Sequence, residues 1–164
     1  MNKHKSKATE CCPKFDPEPW DEKEFTWKDK LFVKDTMIQF MHMPLPGTFG
    51  KTVGKMWKKI EDAAANPDIK DFIMLSTESS PWRGEVYINA TKEVPNAENV
   101  KISGIFITKV FDGPYNAVPK WVREMAQYVA QKGKTVKKYY FYYTTCPKCA
   151  KTYGHNYVVA FAEV

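Results

Sequence analysis

Arginine is scarce in this 164-residue chain: Arg83 and Arg123 stand alone among 25 lysines and arginines. The net charge is +6, yet bidentate recognition of phosphates and guanines prefers the guanidinium fork. A solvated, lysine-rich surface accounts for the charge more simply, and nucleic acid ranks last among the candidate partners. Long apolar runs are also missing. None approaches the roughly 20 residues of a membrane span. The opening "MNKHKSKATECC" is basic but has no apolar stretch behind it, as a secretory signal would need. The expected compartment is therefore the cytoplasm, where four cysteines are expected to be reduced, metal-bound or catalytic.

What the chain does have is aromatic. Hydrophobic residues make up 43% and aromatics 15%, which excludes wholesale disorder. After a tail to about residue 10 that reads as disordered, three prolines in "CCPKFDPEPWDEKEF" forbid a regular helix or central strand. This irregular arm still carries Phe15, Trp20 and Phe25, so it is expected to pack down on the domain. "FTWKDKLFV" reads as a hairpin turning at Lys28-Asp29-Lys30. "TMIQFMHM" reads as a strand with Ile38, Phe40 and His42 on one face, where His42 is expected to be a satisfied core histidine.

Val53, Met56, Trp57, Ile60 and Ala64 recur at helical spacing over about 50–65. A second helix is expected over about 117–131, with Val118, Trp121, Val122, Met125 and Val129 on one face. Strands flank both, and "CPKCAKTYGHN" reads as a loop before the final strand "YVVAFAEV". The halves answer one another: "PGTF" and "DGPY", Trp57 and Trp121, "LSTESSPW" and "YTTCPKCA". The expected fold is α+β. Two duplicated β-α-β-β units, about 31–96 and 100–164, form a pseudo-twofold antiparallel sheet with two helices on one side, preceded by tail, arm and hairpin start over 1–30.

Candidate chemistry lies in two sets of residues. Tyr139, Tyr140, Phe141, Tyr142 and Tyr143 put rings on both faces of one strand; one face serves the core and the other can line a pocket. Trp82 and Tyr87 occupy the matching place in the first half. Glu85 and Glu78 lie beside that strand, and either can act as charge partner or general base. The second set is Cys146-Pro147-Lys148-Cys149, a spacing at which two thiolates share one zinc or close a small disulfide ring. Cys11, Cys12 and His155 are candidates for the remaining ligands. A zinc there would pin the arm across the domain. A redox dithiol and cysteines of no fixed role stay open beside it.

The stretch "ITKVFDGPYNAVPKWVREMAQYV", a strand, a Gly-Pro-Tyr turn and a helix with a tryptophan, is similar to the GyrI-like small-molecule-binding family. The resemblance covers about residues 31–164. It implies an aromatic pocket between the halves for flat or cationic organic molecules. Some members resemble hydrolases that open strained electrophilic rings of DNA-alkylating natural products, using a tyrosine and a glutamate. Where many members carry a glutamate in the strand here written "KYYFYYTT", this chain has Phe141. On this footing Trp20, Trp82, Tyr87, Tyr115, Trp121, Tyr140 and Tyr142 are the ligand-binding candidates, and Glu85 and Tyr142 the catalytic ones. The protein is then a binder or a hydrolase, as monomer or homodimer. The alternative is a zinc- or dithiol-dependent cysteine protein.

Overall fold

The computed structural model describes residues 12–164. The expected disordered tail and Cys11 lie outside them. Seven strands make a mostly antiparallel sheet: β1 (Glu24–Phe40), β2 (Met43–Pro44), β3 (Met74–Ser80), β4 (Arg83–Asn89), β5 (Glu98–Asp112), β6 (Lys138–Tyr143) and β7 (Tyr157–Glu163). Their order is β2-β1-β4-β3-β6-β7-β5, and β1 also pairs with β5. That extra pairing closes six strands into a barrel, with the two-residue β2 as an outlying edge.

The closure depends on the length of β1. Its first part pairs with β5 from Glu24 to Lys34, and its later part pairs with β4 from Phe32 to Ile38. The hairpin expected at Lys28-Asp29-Lys30 is instead a bulge within this one strand. The register shifts between Trp27 and Lys30, and Asp29 takes φ 49° while its amide donates to Ser103 Oγ at 2.8 Å. A bulge keeps the strand going and bends it, which a curved barrel wall requires. The strand consequently runs unbroken from Glu24 to Phe40. A true two-residue turn comes later, where Met41 and His42 (φ 45° and 70°) link β1 to β2. His42 is thus exposed and paired to Glu78 at 2.6 Å, not a core histidine.

Strand alternation divides the side chains between barrel interior and outer wall. Phe32, Leu75, Tyr87, Phe106, Tyr140, Tyr142, Val159 and Phe161 form the inner cluster. On the outside, α1 (Thr48–Asp62) packs Met56 and Ile60 against Val33, Met37, Val86 and Ile88. Helix α2 (Val118–Gln131) packs Trp121, Met125 and Val129 against Ile107, Phe111, Val158 and Ala160. Each fully buried large side chain contributes about 1.5–3 kcal/mol. The two helices therefore cover different stretches of a closed wall, where an open sheet with both on one side was expected. The third helix, α3 (Pro147–Tyr153), stands where "CPKCAKTYGHN" reads as a loop. Pro147 suits a first helical position, and Gly154 at φ 73° ends it in the left-handed conformation that glycine adopts most readily.

Candidate active site

The two ends of the barrel differ in chemistry. At one end, cross-strand register brings charge and hydroxyls together. Lys34 on β1 lies opposite Tyr87 on β4, and Thr36 lies opposite Glu85. On the other side of β4, Thr77 and Leu75 of β3 face Glu85 and Tyr87. All fall on the inward-facing set.

Glu85 is the centre of this mouth. Its side chain is only 13% exposed, and it accepts a hydrogen bond from the Tyr87 hydroxyl at 2.7 Å. Lys34 Nζ lies 3.4 Å from one carboxylate oxygen and Lys138 Nζ 3.9 Å from the other. Burial alone would raise the Glu85 carboxyl. The Tyr87 hydroxyl and the two ammonium groups outweigh it and hold the carboxyl below its ordinary value. Burial, and then the bond to Glu85, pushes the Tyr87 hydroxyl well above the ordinary tyrosine value. Burial pushes Tyr140 up to about 12, with Glu163 and Glu85 adding to it. At neutral pH the mouth therefore presents the Glu85 carboxylate and the neutral phenols of Tyr87 and Tyr140 beside Lys34 and Lys138, with Glu98 on its rim 3.9 Å from Lys34 Nζ. Lys34 sits 5.8 Å from the Tyr87 ring centre and Lys138 4.9 Å from that of Tyr140. The two rings meet edge to face at 5.9 Å.

Beyond the mouth, the inward-facing row of β1 continues into solvent. Ile38 and Phe40 follow Thr36 in alternation and are 67% and 61% exposed. Trp82, in the turn between β3 and β4, packs on Phe40 with ring centres 5.5 Å apart and stays 55% exposed. A charged floor thus adjoins an apolar lip, as suits a ligand that is part polar and part apolar.

The opposite end is closed by the arm. Phe15 meets Tyr142 and Tyr157 at 6.2 and 5.9 Å, and Trp20 meets Tyr142 and Phe161 at 6.0 and 6.1 Å. Tyr142 is buried there, and burial pushes its hydroxyl up to about 12. It lies four residues beyond Lys138, roughly 13 Å along β6. The structure therefore brings Glu85, Tyr87 and Tyr140 together, with Trp82 on the lip, and places Tyr142 and Trp20 at the far end. Trp121 is elsewhere again, stacked on Phe111 at 5.4 Å beneath α2, where it serves the core. Tyr115 packs on Tyr143 at 5.4 Å, away from the mouth. The family resemblance and the matching of the two halves grouped these rings by their place in the order of elements. That order cannot tell the barrel interior from its outer wall.

Of the cysteines, Cys12, Cys146 and Cys149 come together with their sulfurs within 4.8 Å of one another. These three could hold a metal. His155 is not in that group; its Nδ1 lies 2.7 Å from Asp112 and its ring stacks on Tyr157. Glu78, the other carboxylate candidate, is taken by His42. Lys34 and Lys138 were not among the sequence candidates. Their contribution depends on pairing across strands, and only the alternation of Lys34, Thr36, Ile38 and Phe40 on one face hinted at it.

Fold and mouth together define a class: a closed antiparallel barrel, helices on its outer wall, and a carboxylate–phenol pair at one end. The chain belongs to the bacterial hydrolase family, whose sequence pattern it matches over residues 2–164. Two hydrolases from Listeria innocua have similar structures, each with a TM-score of 0.60 and 10% identity. They align over 88% and 86% of this chain and 92% and 90% of theirs. An uncharacterized conserved protein from the same organism gives a TM-score of 0.59 at 11% identity, over 85% and 90% of the two chains. At this identity the likeness concerns the fold. No curated protein matches the chain.

Proposed function

We propose that this protein hydrolyses a small electrophilic organic molecule bound at the barrel mouth, with Glu85 as general base. The observation that carries the reading is the Glu85–Tyr87 hydrogen bond of 2.7 Å between Lys34 and Lys138. A carboxylate kept ionised in a mostly buried setting can accept a proton from water. The resulting hydroxide adds to the electrophilic carbon, whose bond to the leaving atom breaks. The proton held by Glu85 then passes to that atom, so one water is consumed and the carboxylate is restored. Tyr87 positions Glu85, and Lys34 and Lys138 offset the negative charge that develops.

Tyr140, Trp82, Phe40 and Ile38 supply flat and apolar surface for the ligand's body. A strained-ring electrophile, the substrate class implied by the GyrI-like resemblance, fits such a floor and lip. Membership in a hydrolase family supports the reaction type. The pseudo-twofold duplication belongs to the same proposal, supported by the element orders β1-β2-α1-β3-β4 and β5-α2-β6-α3-β7, which share a strand, a helix and two strands once β2 and α3 are set aside.

The test is turnover of a panel of cyclopropane, epoxide and aziridine compounds by the wild type and by Glu85→Gln, followed by mass spectrometry for the addition of water. The glutamine keeps an oxygen for the Tyr87 hydroxyl and loses the base. A fall of about 100- to 10,000-fold in kcat with near-native melting is expected. Activity intact in Glu85→Gln would remove Glu85 from the reaction.

A further inference from the structure

The arm reaches the far end of the barrel as a plug of aromatic side chains, and three thiols gather where it arrives. Cys12 comes from the arm. Cys146 stands at the N-cap of α3 with extended backbone (φ −72°, ψ 162°), and Cys149 is one turn on. Cys149 is fully buried. The backbone at this point is also specified. The Cys146 amide donates to Cys12 Sγ at 3.4 Å, and the Tyr153 hydroxyl donates to the Cys12 carbonyl at 2.6 Å. These two contacts join segments 134 and 141 residues apart.

We infer that Cys12, Cys146 and Cys149 form a structural site for a soft divalent cation of the zinc class, and that the bound ion latches the aromatic plug into the barrel. Zinc–sulfur bonds of about 2.3 Å put the sulfurs of a tetrahedral site roughly 3.8 Å apart. Three sulfurs within 4.8 Å of one another need only a small closure to reach that spacing. Three sulfur donors favour zinc-like soft ions over magnesium or calcium, and a tetrahedral ion would take one further donor. The Cys146 amide, by donating to Cys12 Sγ, stabilises that sulfur as a ligating thiolate.

The consequence for the arm follows from connectivity. Between Cys12 and β1 the chain lays down Phe15 and Trp20, and its path is held by hydrogen bonds to β5. The Thr108 amide donates to the Lys23 carbonyl at 2.9 Å, and the Val110 amide to Asp21 Oδ1 at 2.9 Å. Fixing Cys12 on α3 therefore ties down the outer end of a segment whose inner end is already part of the sheet. The arm closes a loop around the barrel end, and the ion is its clasp. This inference concerns the end opposite the mouth and stands apart from the hydrolytic reading.

The test uses the full chain, reduced and stripped of metal, titrated with cobalt(II) and then zinc. Binding is expected at one equivalent, with thiolate-to-cobalt charge-transfer absorption that zinc abolishes. Cys12→Ser and Cys149→Ser are each expected to weaken binding by more than roughly 100-fold, since even supporting residues are worth 10- to 100-fold. Hydrogen exchange of the amides of residues 16–23 is expected to slow at least several-fold when zinc binds, with no change around Glu85. Absence of the charge-transfer band in reduced wild-type protein would overturn the site, whatever the variants do. Unchanged affinity in Cys12→Ser would also overturn it. So would a disulfide among these cysteines in protein isolated under thiol-trapping conditions. Zinc binding that leaves arm exchange unaltered would overturn the latch.

Discussion

Substitution of Tyr87 by phenylalanine isolates the bond on which the mouth is built. Phenylalanine keeps the ring, and with it the edge contacts to Phe32 at 6.4 Å and to Tyr140 at 5.9 Å. What is lost is one hydroxyl that donates to a carboxylate at 2.7 Å. Hydrogen bonds to charged groups contribute about 1.5–3 kcal/mol. Lys34 and Lys138 remain beside Glu85 in the variant, so the lower figure applies, about 1.5 kcal/mol. The sign follows from the direction of the shift. The Glu85 carboxyl sits below its ordinary value of 4.5, so its contribution to stability is present above that value and is lost as pH falls through the folded-state pKa. The variant should therefore be about 1.5 kcal/mol less stable than wild type near pH 7, with the gap narrowing in acid. Urea unfolding at several pH values measures the gap, and a carbon-13 titration of the Glu85 carboxyl measures the upward shift. If Glu85 in Tyr87→Phe titrates at or below its wild-type position, the hydroxyl does not hold the carboxylate, and the reasoning about the mouth fails.

The tyrosines of β6 should make the protein sensitive to alkali. Burial raises Tyr140, Tyr142 and Tyr143 from 10.0 to about 12, so their stabilising contribution is complete below pH 10 and is lost between 10 and 12. For the deeply buried Tyr142 this amounts to about 3 kcal/mol once both pKa values are passed; a melting temperature flat from pH 9 to 11.5 would contradict it. The two tryptophans grouped by sequence should separate by role. Trp121→Ala should cost about 3–5 kcal/mol in denaturant unfolding, whereas Trp82→Ala should change stability by less than about 0.5 kcal/mol and raise the ligand dissociation constant. Gly84→Ala should destabilise by no more than about 1 kcal/mol, because its Cβ would meet only the ends of two flexible side chains, Gln39 Oε1 at 2.7 Å and Met37 Cε at 2.9 Å, which can shift. A loss of more than about 3 kcal/mol in thermal denaturation would show that those side chains cannot yield.

Local pattern carried much of this molecule. The 3.6-residue spacing of Met56, Trp57 and Ile60, and of Trp121, Met125 and Val129, placed both long helices, the first ending three residues earlier than expected, at Asp62, since each needs one apolar stripe to bury. The aromatics of an arm too proline-rich to be regular implied that it packs down, and Phe15 and Trp20 do so. The spacing of Cys146 and Cys149 marked them as a pair, and a second pair at the other end of the chain suggested a partner for them.

Tertiary structure decided the rest, because the deciding contacts join residues far apart in the chain. Lys28-Asp29-Lys30 has the composition of a turn, but pairing with β5 on the same side before and after makes it a bulge. Closure of the barrel turned one face of every strand into an interior, which separated Tyr142 from Glu85 although both lie on inward faces. Register alone set Lys34 opposite Tyr87 and brought Lys138 to Glu85. The sequence by itself determined which residues could carry charge, rings and thiols. Only closure of the sheet decided that the carboxylate and phenol meet at one end and the thiols at the other, since which residues become neighbours in a barrel depends on strand order and stagger, not on position along the chain.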